Sequence, residues 1–294
     1  MKPSITSIGE ILYDIYPDQK RLGGAPFNFI YHIWKILDKA NFISSIGDDE
    51  NGKEMLNYLN SIGFDTRYLI IDKQYPTGSV HVKIDENKIP QYKITYNCSF
   101  DHLVLNSNVE NVIDNETDIL SFGTFTMREE ISRNTLLSLF KKPGKKYFSD
   151  LNLRHNLYSK DLVENILHTC NVIKINQEEL EKMRSLFSIS ADDVVDQLMN
   201  NFNLELVAIT LGENGAKLYN KNRYSYYKPA EENIIDTLGA GDAFSAILCL
   251  GYMYNIDLDE LNKHANDFAL KICQVNGALP KEDLIYLPYK KIFY

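Results

Sequence analysis

The segment Asp236-Thr237-Leu238-Gly239-Ala240-Gly241-Asp242-Ala243-Phe244 decides the interpretation of this sequence, because it leads straight into an apolar helical stretch. Two glycines and an alanine let backbone N–H groups crowd around an anion at a helix N-terminus, where the helix dipole also favours negative charge. Asp242 lies in the first turn, where a carboxylate can take a proton from a hydroxyl while neighbouring amides hold the charge of a transferred phosphoryl group. An ordinary helix start with a favourable acid has the same pattern, so the segment alone leaves both interpretations open.

On either side of this segment, short apolar runs typical of β-strands alternate with longer runs that have helical spacing of apolar residues. Such alternation is typical of βα units and predicts an α/β fold with a parallel sheet. The predicted strands are 4–8, 41–46, 119–122, 147–149, 172–175 and 206–210. The predicted helices are 27–37, 52–62, 128–140, 160–168, 191–199, 240–254 and 258–273.

Two stretches, about 13–21 and 77–99, interrupt the alternation and predict a small accessory sheet. The second alternates apolar and polar residues on both sides of an Asp-Glu-Asn turn at 85–87, as a half-exposed hairpin does. We therefore expect a β lid over a βα body. Because no repeat, low-complexity tract or proline-rich linker divides the chain, residues 1–294 are expected to form one domain.

The charge balance excludes several classes of function. The 294 residues contain 31 Lys plus Arg and 40 Asp plus Glu, a formal net charge of −9. No basic cluster counters that charge, so neither nucleic acid nor an anionic membrane surface is an expected partner. The longest apolar run, 243–254, is shorter than the ~20 residues that span a bilayer, and no export signal is visible, so we expect a cytoplasmic protein. The four cysteines have no metal-type spacing and are expected to be buried thiols.

A second glycine-containing segment lies near the N-terminus, at Gly23-Gly24-Ala25-Pro26-Phe27-Asn28. A lone glycine pair is usually only a turn. Here a polar amide follows one helical turn later, and Asp14 stands just after the first predicted strand. Asp14 and Asn28 together could bind vicinal hydroxyl groups of a polyol.

A third segment, 47–54, differs by one residue from the G-x-x-x-x-G-K-[ST] P-loop. Glu54 replaces the hydroxyl residue that would hold Mg²⁺, and three acids inside the loop would repel phosphate. The sequence therefore does not predict a P-loop enzyme. The segment 239–244 also lacks the G-x-G-x-x-G spacing of a dinucleotide-binding fold.

Six motifs follow one another along nearly the whole chain. They are GGAPFN (23–28), IGDDENG (46–52), DLNLR (150–154), NQEE (176–179), TLGENGA (210–216) and DTLGAGD (236–242). In the order and spacing of these motifs the sequence resembles the PfkB-family (ribokinase-like) carbohydrate kinases, and within that family it is similar to bacterial fructokinases. The resemblance implies a ribokinase-like three-layer sandwich, with helices on both faces of a mostly parallel central sheet and a small β-sheet lid.

The resemblance also implies roles for single residues. Asp242 matches the catalytic base, and the backbone amides of Gly239, Ala240, Gly241 and Asp242 match the anion hole for the phosphoryl group. The implied sugar-binding residues are Asp14, Gly24, Asn28 and Arg154, and the implied nucleotide-binding residues are Thr210, Gly212, Gly215 and Asn266. Asn176 and Glu179 match a motif that positions Mg²⁺. From pattern alone, that pair is also typical of a capped helix start, and Arg154 of a surface or ion-paired arginine.

The implied activity is transfer of a phosphoryl group from ATP, with Mg²⁺, to the terminal hydroxyl of D-fructose. Other acceptors stay open, namely ribose, 2-keto-3-deoxygluconate, another ketose or a nucleoside, and so does a catalytically idle sugar-binding regulator. The turn at 275–278 resembles the region where relatives hold adenine and a monovalent cation, which makes K⁺ a further candidate cofactor. Because relatives often pair through their lids, the resemblance also suggests a homodimer.

Overall fold

The strands of the protein fall into two sheets. The computed structural model describes residues 2–84, 90–140, 142–154, 157–190 and 194–294. Its strands are β1 (Ile5–Ile8), β2 (Leu12–Ile15), β3 (Lys20–Gly23), β4 (Asn41–Gly47), β5 (Leu69–Asp72), β6 (Gly78–Ile84), β7 (Pro90–Ile94), β8 (Ile119–Phe122), β9 (Lys146–Asp150), β10 (Val172–Asn176), β11 (Leu206–Thr210), β12 (Ala216–Asn220) and β13 (Tyr224–Tyr227).

Helices connect most of the strands of the larger sheet. The helices are α1 (Ala25–Leu37), α2 (Glu50–Ser61), α3 (Ser107–Glu116), α4 (Glu130–Leu139), α5 (Lys160–Thr169), α6 (Gln177–Phe187), α7 (Val194–Phe202), α8 (Ala240–Met253), α9 (Leu258–Cys273) and α10 (Leu287–Phe293). Short 3₁₀ turns lie at Ser99–His102, Phe125–Arg128, Gly212–Asn214 and Asp283–Tyr286. Within the described ranges, no helix is both long enough and apolar enough to cross a membrane.

The larger sheet has the strand order β13-β12-β11-β10-β9-β8-β1-β4-β5 in the described chain. From β11 to β5 all neighbours run parallel, whereas β12 and β13 are antiparallel additions at one edge. β1 lies inside the sheet, where Thr6 is paired with Asn41 on one side and Leu120 on the other. The prediction of a mostly parallel sheet is confirmed.

Each central strand sends alternate side chains into two hydrophobic cores, one on each face of the sheet. In β11, Leu206 and Ala208 join the core packed against α1, α8 and α9, whereas Val207 and Ile209 join the core packed against α4, α5 and α7. Successive residues of a strand point to opposite faces, so burial on both faces requires the continuous apolar run seen in the sequence. Helices on both faces of the sheet give the expected three-layer architecture.

The smaller sheet has the strand order β3-β2-β6-β7 and lies apart from the larger one. β2 pairs antiparallel with β3 and parallel with β6, and β6 pairs antiparallel with β7. This confirms the predicted accessory sheet, with strands at 12–15, 20–23, 78–84 and 90–94. The predicted turn at 85–87 lies outside the described residues.

The structure differs from the predicted elements in a few places. The apolar periodicity at 128–140 predicts one helix, but Glu129 is extended (φ −103°, ψ 149°) and separates the 3₁₀ turn Phe125–Arg128 from α4. Periodicity does not detect a one-residue break. Residues 191–193 of another predicted helix lie outside the described ranges, and α7 begins at Val194. The four cysteines are buried, as expected.

Candidate active site

A cavity of about 660 Å³ lies between the small sheet and the carboxyl edge of the parallel strands. This edge is where α/β folds commonly bind their ligands. The cavity brings together the predicted sugar-binding residues Asp14, Gly24, Asn28 and Arg154 and the predicted metal-positioning pair Asn176 and Glu179. Gly239, Gly241 and Asp242 also line it, and Ala240 begins the helix beside them.

The glycine turn, residues 236–242, carries the chain into α8. Gly239 has φ 78°, and a Cβ atom at this position would lie 2.3 Å from the Cβ of Ala278, so both conformation and space require glycine. The amide of Ala240 bonds the carbonyl of Thr237 at 3.3 Å. The amides of Gly239, Gly241 and Asp242 have no hydrogen-bond acceptor among the described residues, as expected at the start of a helix. The turn can therefore receive an anion.

Asp242 is held by Asn28, which lies one turn inside α1. The Asn28 Nδ2 donates to Asp242 Oδ2 at 2.8 Å, while the buried Asn28 Oδ1 accepts no hydrogen bond from a described residue. Burial, followed by the nearby negative charge of Asp150, raises the pKa of Asp242 to about 7. The Asn28 bond, Lys174 and Arg154 oppose that rise. A carboxyl with this pKa can exchange a proton near neutral pH.

Lys174, on β10, is a site residue that the sequence reasoning missed. It is 7% exposed, and its Nζ lies 3.2 and 3.1 Å from the two carboxylate oxygens of Asp150. Asp150 Oδ2 also accepts a bond from Ser245 at 2.8 Å. Burial alone would lower the pKa of Lys174, but the carboxylates of Asp150 and Glu179 outweigh it and the pKa is raised. A Cβ atom on Gly241 would lie 3.2 Å from the Nζ, so a positive charge stands beside the glycine turn.

The sequence did carry a signal for Lys174, which lies in the apolar run Val-Ile-Lys-Ile. A lysine in a strand that is buried on both faces almost always has a charged or polar partner. Glu10, between β1 and β2, is a second residue of the cavity that the sequence reasoning missed. It is 3% exposed, lines the cavity and accepts a hydrogen bond from Thr126. Burial raises the pKa of Glu10 despite that bond. Lys174 lies in a run that served only to predict a strand, whereas Glu10 lies between the first predicted strand and Asp14, where only Asp14 was singled out.

Asp14 and Gly24 lie on the small-sheet side of the cavity. Burial raises the pKa of Asp14, with Arg154 and Arg21 opposing the rise. Gly24 has φ 110°, and a Cβ there would lie 2.5 Å from the Glu10 carbonyl oxygen, so no larger residue fits. Arg154 is exposed and its Nε donates to Asn152 Oδ1 at 2.8 Å. The cavity wall thus combines a carboxyl group and a close backbone approach with an exposed guanidinium.

Asn176 and Glu179 cap the start of α6. Asn176 Oδ1 accepts from the Glu179 amide at 2.8 Å, and Glu179 Oε2 accepts from the Asn176 amide at 2.8 Å. The other Glu179 oxygen accepts from the Leu153 amide at 2.8 Å. The reciprocal pattern is a capping box, the alternative that the sequence left open. Both residues also line the cavity.

The predicted nucleotide-binding residues lie away from this group. Thr210 ends β11, and Gly212 and Gly215 form the tight turn that follows, with φ 61° and 79°. Asn266 is buried within α9, where its Nδ2 donates to the Oδ1 and the carbonyl of Asn262, each at 2.8 Å. The structure does not bring these four residues into the cavity lining.

The segment that resembles a P-loop has a structural explanation. Asp49 caps α2 by accepting from the Gly52 amide at 2.8 Å, and it also accepts from the amide and the hydroxyl of Thr77. A Cβ on Gly47 would lie 2.5 Å from the Thr77 nitrogen. The acids and glycines therefore join β4 and α2 to the start of the small sheet.

Similarity to known sugar kinases extends over nearly the whole chain. The sequence model of the pfkB family carbohydrate kinases matches residues 2–283. The uncharacterized sugar kinase PH1459 of Pyrococcus horikoshii is 29% identical over 309 aligned residues, covering 98% of this chain and 96% of its own. A fructokinase of Klebsiella pneumoniae is 27% identical and covers 99% and 98%.

Solved structures show the same fold. The crystal structure of PH1459 has a TM-score of 0.85 at 26% identity and covers 99% of both chains. A structure of PH1459 in complex with ATP has a TM-score of 0.81 at 25% identity and covers 99% of this chain and 100% of its own. A Vibrio cholerae fructokinase with bound fructose, ADP and potassium has a TM-score of 0.79 at 23% identity, covering 97% and 98%.

Proposed function

The chain belongs to the pfkB family of carbohydrate kinases, and from this premise we propose that it phosphorylates D-fructose on the terminal hydroxyl, with ATP as donor. One observation carries the proposal. Asp242, partly buried beside the free amides of the glycine turn, lines the same cavity as Asp14 and Asn28, whose polar groups suit the hydroxyls of a sugar. The choice of fructose is supported by relatives such as the Klebsiella fructokinase.

Asp242 acts as the general base in this proposal. The hydroxyl oxygen bonds to the phosphorus of the γ-phosphoryl group as the bond from that phosphorus to the ADP oxygen breaks, and the hydroxyl proton goes to Asp242. The bond from Asn28 fixes the carboxylate while its pKa of about 7 keeps proton uptake accessible. Orientation and a suitable proton acceptor are what a largely dissociative phosphoryl transfer asks of a protein.

The glycine turn and Lys174 stabilise the charge of the transferred group. The amides of Gly239, Gly241 and Asp242 are preorganised donors in a partly closed site, where such donors are strongest. The ammonium of Lys174 stands next to Gly241 and adds a fixed positive charge. The small sheet covers the cavity, which limits the access of water that would otherwise accept the phosphoryl group.

Mg²⁺ fits the donor set at the far end of the cavity. Both carboxylate oxygens of Glu179 already accept backbone amides, so their remaining lone pairs suit hydrogen bonds from water better than direct ligation. Mg²⁺ keeps several waters in such sites, and Asn176 and Glu179 would hold it through them. When bound with ATP, the ion neutralises phosphate charge. The described residues contain no cluster of three His, Cys, Asp or Glu arranged to hold a metal by themselves.

K⁺ activation, dimerisation through the small sheet and a cytoplasmic location remain part of the proposal. Residues 275–278 supply carbonyl oxygens and the side-chain oxygen of Asn276, which are suitable donors for a hard cation. K⁺ activation is tested by comparing the phosphorylation rate in K⁺ with the rate in a bulky organic cation at equal ionic strength. We propose that the nucleotide is contacted outside the cavity of Asp242 by Thr210, Gly212, Gly215 and Asn266.

An ADP-release assay with ATP and Mg²⁺ tests the function on fructose, ribose, glucose, tagatose, 2-keto-3-deoxygluconate and adenosine. We expect turnover on fructose, reduced at least ~10²-fold in Asp242→Asn, the lower range for loss of a general base. Turnover on another sugar alone would replace fructose as acceptor. No ADP release with any acceptor, from folded protein that binds ATP, would favour the idle regulator. Near-wild-type turnover in Asp242→Asn would show that Asp242 is not the general base.

A further inference from the structure

One ion pair links the small sheet to the glycine turn. Arg21, on β3, places its Nη1 3.2 Å from Asp236 Oδ2, and each side chain is about a quarter exposed, at 25%. The same Asp236 oxygen accepts from the Gly277 amide at 3.0 Å, and the other oxygen accepts from the Leu238 amide at 3.0 Å. Asp236 therefore ties the small sheet, the glycine turn and the turn at 275–278 to one carboxylate.

Arg21 is also the direct cross-strand partner of Asp14 on β2. Directly paired residues of an antiparallel pair project from the same face of the sheet. Asp14 lines the acceptor cavity from that face, and Arg21 reaches from it to Asp236. The carboxylate of Asp14 and the guanidinium of Arg21 are thus carried by the same pair of strands, β2 and β3.

From this arrangement we propose that the Arg21–Asp236 pair couples sugar binding to the ordering of the glycine turn. Sugar that engages Asp14 holds the β2–β3 pair over the cavity, and Arg21 then fixes Asp236 and, through it, the Leu238 amide that precedes the anion-binding amides. Arg21 is a positioning residue, since it reaches the phosphoryl site only through Asp236. The inference rests on the proposed function and adds a route by which binding of the acceptor sugar changes the affinity for the nucleotide, and the reverse.

Such coupling is reciprocal, because the factor by which sugar tightens nucleotide binding equals the factor by which nucleotide tightens sugar binding. The contribution of Arg21 is limited by the exposure of the pair. Partly exposed ion pairs contribute up to about 1 kcal/mol, which corresponds to about a fivefold change in binding.

The test is isothermal titration calorimetry of AMP-PNP with Mg²⁺, without sugar and with saturating D-fructose or whichever sugar of the acceptor panel turns over fastest. In wild type we expect sugar to tighten AMP-PNP binding. In Arg21→Gln the ratio of the AMP-PNP dissociation constants without and with sugar falls about fivefold, while the affinity for AMP-PNP alone changes little. Arg21→Lys keeps the charge and restores part of the coupling.

Lys20→Gln is the matched control. Lys20 is the next residue on β3, but its Nζ bonds Asn51 at 3.2 Å and Glu54, both on α2 and away from the glycine turn. We expect this variant to keep the wild-type coupling. Full coupling in Arg21→Gln, equal loss in Lys20→Gln, or no coupling in wild type would each overturn the inference. Failure of wild type to phosphorylate any acceptor would instead refute the proposed function.

Discussion

Two groups of buried charge near the small sheet differ in how their charges are balanced. Arg128 and Asp101, with side chains 1% and 0% exposed, form a two-pronged pair in which Nε and Nη2 lie 2.7 Å from the two carboxylate oxygens. The guanidinium also lies 4.6 Å from the ring centre of Phe125. The Cys98 amide donates to Asp101 at 3.0 Å. One positive charge is thus paired with one negative charge, and the pair anchors the base of the small sheet.

In the active-site group, negative charge exceeds positive charge. Asp242, Asp150 and Glu179 surround the single ammonium of Lys174. Burial and the charge of Asp150 raise the pKa values of both Asp242 and Glu179. In the balanced pair both carboxylate oxygens of Asp101 accept from the guanidinium, whereas an unbalanced group is suited to take up a proton and to gain from a bound cation. The difference separates a structural pair from the group to which we assign the catalytic role.

The largest expected effect concerns the balanced pair. Arg128→Met leaves the carboxylate of Asp101 buried without its cation, and we expect the free energy of unfolding to fall by about 3–5 kcal/mol. Urea denaturation measures this loss of unfolding free energy. The control is Arg67→Met, since Arg67 forms an exposed pair with Asp65 and its loss should cost about 1 kcal/mol or less. Similar losses in both variants would contradict a special role for the buried pair.

The next effect concerns the cation of the unbalanced group. Lys174→Met removes the positive charge beside the glycine turn, and we expect kcat to fall about 10²-fold, as when one preorganised donor to a reacting oxygen is lost. Sugar affinity, measured by calorimetry, should change much less. Lys146→Met is the control, because Lys146 pairs with Glu205 at a half-exposed site. An unchanged kcat in Lys174→Met would show that this lysine has only a structural role.

A smaller effect concerns the free energy of unfolding, which the ionised carboxylate of Asp242 lowers. Because the folded-state pKa of Asp242 is raised from 3.8 to about 7, its favourable contribution is full at low pH and is lost as pH rises through 7. Asp242→Asn removes this partly desolvated charge, so at pH 8 we expect the variant to be more stable than wild type by on the order of 1–3 kcal/mol. Denaturation at pH 5 should show a smaller difference. A variant less stable than wild type at pH 8 would disprove this.

The smallest effect is a shift of the pH profile. Turnover should decline as pH falls below about 7, because Asp242 becomes protonated and cannot accept the hydroxyl proton. Asp150→Asn removes the charge that helps raise this pKa, so the acid limb of kcat/KM should move to lower pH by up to about one unit. Ser245→Ala, which removes only a hydrogen bond to Asp150, should leave the limb in place. An unmoved limb in Asp150→Asn would show that burial alone sets the pKa.

The comparison also shows how far sequence reasoning reaches. Asp242, Gly239 and Asn28 were identified because a glycine-rich turn before a helix and an amide one turn into another helix are local patterns, and the cavity contains all three. Lys174 was missed because its role depends on Asp150, a residue of the neighbouring strand. Arg128 was missed for a similar reason, since its partner lies 27 residues away in the chain.

The alternation of strands and helices, the small sheet and the glycine turn could be predicted from the sequence, because hydrophobic periodicity and the backbone freedom of glycine act over a few residues. Which charges are paired and which are left in excess depends on how distant segments pack. Strand order sets Asp150 beside Lys174, and the small sheet sets Arg21 against Asp236. Electrostatic energy depends on distance and burial, and both arise only when segments far apart in sequence pack together.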